Sequence, residues 1–278
     1  MSLLSLVLTL CPKEQVALPS ALGRAAHAAL LRAIEERDAP LAESLHAQGG
    51  TRPFTCSPLR GKRANGAVLR DVKYTLRYTT LAENVSAVVS DLFVVGGELE
   101  LDGARFVIER VTRDAREHPW AAQTDYETLA APWLLARAVP ARRIELSFGS
   151  ATAFRSQDKA QIFPQPEWVF GSLLEKWNAF APMALPEETR RFALECLAVS
   201  RIHLSSRAAP FKSDGAVKFG AVGTVTYAAL NQDRYWLSLM NLLADFALFA
   251  GVGTSTALGM GQCKRLMDEE VKGDEVKR

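Results

Sequence analysis

Cysteine, the ligand of structural zinc and the partner in disulfides, is scarce in this 278-residue chain. Its four cysteines, Cys11, Cys56, Cys196 and Cys263, are scattered, with no CxxC pair and no Cys/His cluster. That spacing excludes a structural zinc site and a disulfide framework, and it suits a reducing cytoplasm, where the chain is expected to reside. Carboxylates are not gathered as a two-metal nuclease needs them. The acidic group Asp91, Glu98, Glu100 and Asp102 reads as the solvated rim of a turn and a strand, so no metal and no other cofactor is expected. No apolar run reaches the roughly 18 residues that span a bilayer, and no membrane partner is expected. Residues 3–10 are apolar but lack a basic flank, and Pro12 and Lys13 follow, which reads as a strand and not a signal peptide. Histidine is scarce too, at four residues.

What the chain does have is glycine in one place. Gly251-Val-Gly-Thr-Ser-Thr-Ala-Leu-Gly-Met-Gly261 sets four glycines among eleven residues, after a long apolar helix and just before Lys264 and Arg265. Glycine lets a backbone turn through φ > 0 and lie against a ligand with no Cβ in the way. Phosphate loops of nucleotide enzymes follow a strand and open a helix. This one leaves a helix, lacks the GxxxxGK[ST] spacing, and has Thr256 where GxGxxG wants its third glycine. The better reading is a loop between the last helix and last strand of a small α/β domain, lying along an RNA backbone through Gly251, Gly253, Gly259 and Gly261, with Lys264 and Arg265 beside it.

At 48% hydrophobic and 23% charged residues, the chain can bury a sizeable core in two domains of ordinary size. A net charge of +2 says little, but its distribution says more. From Arg52 to Arg77, seven cations (Arg52, Arg60, Lys62, Arg63, Arg70, Lys73, Arg77) stand against one acid, Asp71, a footprint suited to polyanions. The first half reads as strand 3–10, a helix capped by Ser20 and running to residue 37, strands 54–59 and 72–80, a helix over 81–95 and strand 105–111. A Pro- and Trp-punctuated connection covers 118–140. Strand 143–148, helix 166–179, strands 199–205 and 217–228, helix 233–250, the glycine loop and a last strand follow. Ser238, Asn241 and Asp245 form one polar stripe on that last helix. Two consecutive βαββαβ units predict an α+β chain of two tandem ferredoxin-like domains, 1–138 and 139–267, with a charged, disordered tail over 268–278.

Ser150-Ala-Thr-Ala-Phe-Arg-Ser156, the stretch from Phe163 through Trp168 and Trp177 to Phe180, Gly220-Ala-Val-Gly-Thr-Val-Thr-Tyr227 and the glycine loop together resemble the C-terminal domain of CRISPR-associated precursor-RNA-processing endoribonucleases. These belong to the repeat-associated mysterious protein (RAMP) superfamily. The resemblance is strong over residues 144–266 and weaker over the first sixty. It implies two ferredoxin-like domains, binding of CRISPR repeat RNA, and metal-independent cleavage within each repeat to a 2′,3′-cyclic phosphate and a 5′-hydroxyl. The implied partners are repeat RNA, the interference-complex subunits that receive the mature guide and, as an open alternative, a second copy of the chain.

Metal-free RNA cleavage needs a base for the 2′-OH, an acid for the leaving 5′-oxygen and positive charge on the phosphorane, and histidine is suited to the proton transfers. His46 reads as a loop residue after the first helix, ahead of Phe54-Thr-Cys-Ser-Pro58. Family members carry their catalytic histidine in that loop before a similar strand, so the resemblance implies His46. Some relatives place a tyrosine or second histidine on the preceding helix. Residues 20–37 hold no tyrosine, so His27 is the candidate base, the alternative being His46 acting alone with help from cations. Arg52 stays protonated and so would stabilise the phosphorane instead of acting as an acid. Arg60, Lys62 and Arg63 are candidates for RNA-backbone contacts, while His118 and His203 read as structural. Two other readings stay open: a catalytically silent RAMP-type RNA-binding subunit, and a small-molecule enzyme using the glycine loop for phosphate.

Overall fold

Leucine alternation sets up the first sheet. In β1 (Leu3–Pro12), Leu4, Leu6, Leu8 and Leu10 share one face by the two-residue period of a strand, and all four are buried. The computed structural model describes residues 2–47, 49–135, 140–156, 159–210 and 217–266. After the short β2 (Val16–Ala17) come helices α1 (Gly23–Arg37) and α2 (Ala39–Ala47). Then follow β3 (Phe54–Cys56), the hairpin strands β4 (Arg63–Ala64) and β5 (Ala67–Val68), and β6 (Tyr74–Thr80). Helix α3 (Glu83–Leu92), β7 (Glu98–Leu101), β8 (Ala104–Thr112) and β9 (Ala122–Thr124) complete this half. The sheet order is β3-β6-β1-β8-β7, antiparallel throughout, with β9 pairing the first residues of β1. Leaving aside the edge strand β7, this is the 4-1-3-2 order of a βαββαβ fold. Ala26, Leu30 and Ile34 of α1 and Val85 and Val89 of α3 close the core over the leucine face.

The second half repeats the order. It contains α4 (Tyr126–Leu134), β10 (Arg143–Thr152), a hairpin of β11 (Phe154–Ser156) and β12 (Lys159–Gln161), α5 (Pro166–Phe180) and α6 (Glu188–Cys196). The long strands β13 (Leu197–Pro210) and β14 (Val217–Ala229), α7 (Arg234–Ala250) and β15 (Cys263–Leu266) follow. Sheet order β13-β14-β10-β15 is again 4-1-3-2. Its core sets Trp177 of α5 edge-on to Phe246 of α7 at 5.2 Å, and Phe170 edge-on to Tyr227 at 5.6 Å. Pro166 occupies the first turn of α5, where its missing N–H would lack a partner anyway. Asp233 caps α7 by accepting from the amides of Tyr235 and Trp236.

Two compact units result. The first comprises the described residues of Met1–Tyr126, Ala208–Lys218 and Ser255–Met260, the second those of Glu127–Arg207, Phe219–Thr254 and Gly261–Arg278. Several expectations need correcting. Helix α1 starts at Gly23, and Ser20 does not cap it, since Leu22 holds the N-cap position without a side-chain bond. Residues 39–47 form a helix, not a loop: Asp38 accepts from the Leu41 amide at 3.0 Å, and Pro40 sits in the first turn, where proline is tolerated. Strand 54–59 stops at Cys56, after which Arg60 rejoins by a single bridge to Thr75. Helices α4 and α6 and the β11–β12 hairpin were not anticipated. The tail over 268–278 lies outside the described residues.

Candidate active site

His27, His46 and Arg52 come together in the first unit. His46 stands in the last turn of α2 with its side chain exposed, so the expected loop residue is a helical one. His27 is half-buried on α1, its ring 5.4 Å from that of Phe54 and its Nδ1 3.1 Å from the carbonyl oxygen of Ala257. Burial chiefly lowers its pKa; the Ala257 carbonyl opposes this, while Arg52, His46 and Arg24 lie near enough to disfavour a further positive charge. One guanidinium nitrogen of Arg52, Nη1, is buried with no hydrogen-bond partner among the described residues. Tyr78 lies under the same helix, but its hydroxyl donates to Ala26 O at 3.0 Å and burial raises its pKa strongly, so it is not a substitute base. His118 accepts from the Trp120 amide within a turn, and His203 is exposed on β13 in the second unit.

The expected RNA-binding cations divide by what they touch. Lys62 is exposed. Arg63 is not available in that way, because its Nη1 donates to Leu18 O at 3.1 Å and Pro19 O at 2.6 Å, pinning the segment before α1. Arg60 and the buried Arg77 lie over the ring of Trp120, at 5.5 and 4.7 Å from its centroid. Arg265 turns inward: it pairs with Asp245 at 3.1 Å, donates to Asn241 Oδ1 at 2.8 Å and covers Trp133, whose indole N–H donates to Asp245 at 2.7 Å. The polar stripe of α7 is thus an interior network that holds β15, and Arg265 is a structural residue. Lys264 is half-exposed on β15 beside Ser147. Arg142, Arg143 and Arg201 line a groove with Glu145 and Thr226 that sequence reading passed over, because the three arginines are dispersed over β10, its approach and β13.

The glycine loop sits between α7 and β15 as expected, but its glycines serve the protein's own backbone. Gly251, Gly253, Gly259 and Gly261 all have positive φ. A Cβ at Gly253 would stand 2.3 Å from Ala153 O, and one at Gly259 2.9 Å from Gly23 Cα. Gly253 donates to Ser172 Oγ, Thr254 to Ala153 O, Val252 to Gly261 O and Gly261 to Ala151 O. These contacts give the loop's glycines a part in packing the protein's own backbone, beside the RNA contact expected of them. At its start the buried Lys176 of α5 donates to Ala250 O at 3.0 Å and Gly251 O at 2.9 Å, capping the negative end of α7. Burial pushes this ammonium down to about 7. Nothing in the sequence around Lys176 announces that role, since one lysine on an amphipathic helix reads as a surface residue.

Among the described residues no group of three or more His, Cys, Asp or Glu side chains could hold a metal ion, and no helix is long and apolar enough to cross a membrane. Residues 146–263 match the family model for CRISPR-associated endoribonuclease Cas6, and residues 3–88 that for the CRISPR Cas6 N-terminal domain. A Cas6 from Mycobacterium tuberculosis is 28% identical over 122 residues; the match spans 43% of this chain and 38% of that relative's own length. Among solved structures, a Cas6 product complex superposes with a TM-score of 0.75 at 27% identity, covering 96% of this chain and 100% of the other. A second product complex, of a Thermus thermophilus Cas6, gives 0.79 at 24%, covering 95% and 100%. A Cas6 substrate-mimic complex gives 0.70 at 26%, covering 96% and 100%. With both halves matched and both sheets in the same strand order, the chain belongs to the CRISPR-associated endoribonuclease Cas6 family.

Proposed function

We propose that this chain binds CRISPR repeat RNA and cuts the precursor transcript within each repeat without a metal ion, yielding guide RNA for interference complexes. The observation that carries this reading is the grouping of His27, His46 and Arg52, with His27 inside the field of the other two. Attack by the 2′-oxygen on the adjacent phosphorus breaks the bond to the 5′-oxygen and leaves a 2′,3′-cyclic phosphate and a 5′-hydroxyl. One histidine takes the 2′-OH proton and the other protonates the departing oxygen, each transfer being worth roughly 10²–10⁴-fold. Arg52, with its unpartnered buried nitrogen, is placed to stabilise the phosphorane charge. Lys62 and the arginines of the second-unit groove supply candidate phosphate contacts.

The test is cleavage of repeat RNA in excess EDTA, with a parallel substrate carrying hydrogen in place of the single 2′-OH at the cut. Cleavage should persist in EDTA, and the deoxy substrate should bind but stay intact. Cutting of the deoxy substrate, or loss of activity in EDTA, would overturn the mechanism. Repeat RNA that is bound tightly and never cut would return the silent-subunit reading.

A further inference from the structure

A carbonyl oxygen can only accept a hydrogen bond, so the 3.1 Å contact between His27 Nδ1 and Ala257 O has one chemical meaning. Nδ1 carries the proton, and the neutral ring keeps its lone pair on Nε2. The carbonyl is itself held. Ala257 lies in the short 3-10 turn Thr256–Leu258, bounded by Ser255 and Gly259, both left-handed at φ 59° and 94°. Leu258 N donates to Ser255 O at 2.9 Å and Met260 N to the same oxygen at 3.3 Å, while Ala257 is buried in the first unit's core. This turn rests on the first residue of α1. A Cβ on Gly23 would stand 2.0 Å from Leu258 O and 2.8 Å from Gly259 Cα. Glycine in a helix is about 1 kcal/mol worse than alanine by propensity, so its presence at Gly23 asks for a contact that only glycine allows, and this is that contact.

We propose that the turn in the glycine loop is a tautomer clamp: the Ala257 carbonyl, seated by the Gly23–Gly259 contact, holds His27 with Nε2 as its basic nitrogen and so makes His27 the base of the reaction. Ala257, Gly23 and Gly259 are positioning residues in this scheme. Its catalytic half rests on the function proposed above; its tautomer half rests on the contact alone. Arg24, His46 and Arg52 are the charged or titratable groups acting on the ring, and with burial they keep it neutral. Nε2 then takes the 2′-OH proton, the freed oxygen pair bonds to phosphorus, the P–O5′ bond breaks and His46 gives its proton to the leaving oxygen. Phe54 lies beside the His27 ring, the two rings tilted by 33° at 5.4 Å between centroids.

The test reads the tautomer directly, on full-length protein labelled with ¹⁵N-histidine, by two-bond ¹H–¹⁵N correlation. Four histidines make assignment tractable, with His27→Gln identifying the signal. The expected wild-type result is the Nδ1–H form of His27. Gly23→Ala should mix the tautomers and lower single-turnover cleavage by on the order of 10²-fold, with repeat-RNA affinity unchanged. An Nε2–H form in the wild type overturns the clamp, and so does a Gly23→Ala protein that keeps both the Nδ1–H form and the wild-type rate. Should Gly23→Ala fail to fold, the wild-type spectrum alone decides. A wild-type protein that shows the Nδ1–H form and does not cut repeat RNA would support the clamp while overturning the proposed function, so the two failures are distinguishable.

Discussion

His46 stands exposed in the last turn of α2. Its removal therefore isolates chemistry from folding. His46→Ala should shift unfolding by no more than about 0.5 kcal/mol, as surface substitutions do. Repeat affinity should change little, and single-turnover cleavage should fall by at least about 10²-fold. Near-normal cleavage would remove His46 from the site and leave the acid to be found elsewhere. In the sequence, His46 was a candidate through the family resemblance, and His27 only as a second histidine on the preceding helix. Which nitrogen of His27 is basic was not legible at all, because its partner is a backbone carbonyl 230 residues away. Main-chain groups carry no residue code. Arg63 and Arg265 were misread for a related reason: a cation's destination is set by which oxygen atoms the fold brings near it, and sequence shows only that it is a cation.

At the scale of elements, periodicity did well where one face is buried and failed where punctuation misled. Strand β1, helix α1, β6, β8, α5 and α7 lie where apolar spacing and composition put them, to within a few residues at their ends. Helix α2 was lost because Pro40 reads as a stop, although in a first turn it is a start. Helix α4 hid behind Pro132, which lies inside it. The glycine loop was placed correctly, its packing role was not legible, and paired substitutions separate packing from RNA contact. Gly103 has φ +82° with open space where a Cβ would go, whereas Gly253 has φ +73° and faces Ala153 O at 2.3 Å. Gly103→Ala should cost about 1–2 kcal/mol, the price of a left-handed alanine. Gly253→Ala should cost distinctly more, because backbone must also move, while the folded fraction keeps its affinity for repeat RNA. Equal destabilisation of the two variants, or a selective loss of RNA binding at Gly253, would restore the loop as a ligand surface.

Stability of the whole molecule should carry the mark of one buried amine. Lys176 has a pKa near 7 in the folded chain against 10.5 when unfolded. Between those values the unfolded state binds the additional proton, so stability should rise with pH from about 7 to 10. Beyond that the buried hydroxyls of Tyr78 and Tyr227, whose pKa values are raised by burial, reverse the trend, since the unfolded chain ionises first. Denaturant midpoints measured across this range should climb for the wild type and climb less for Lys176→Met; parallel profiles would show that the ammonium is not in the proposed setting. The assignment of Ser255–Met260 to the first unit has a consequence during synthesis. At 5–20 residues per second, the ribosome delivers Ala257 roughly 10–50 s after His27. Until then, under the clamp proposed above, the nascent chain carries both histidines without the carbonyl that orients His27. On that scheme the base is set late, and any cleavage waits until Ala257 has been made and folded back onto α1.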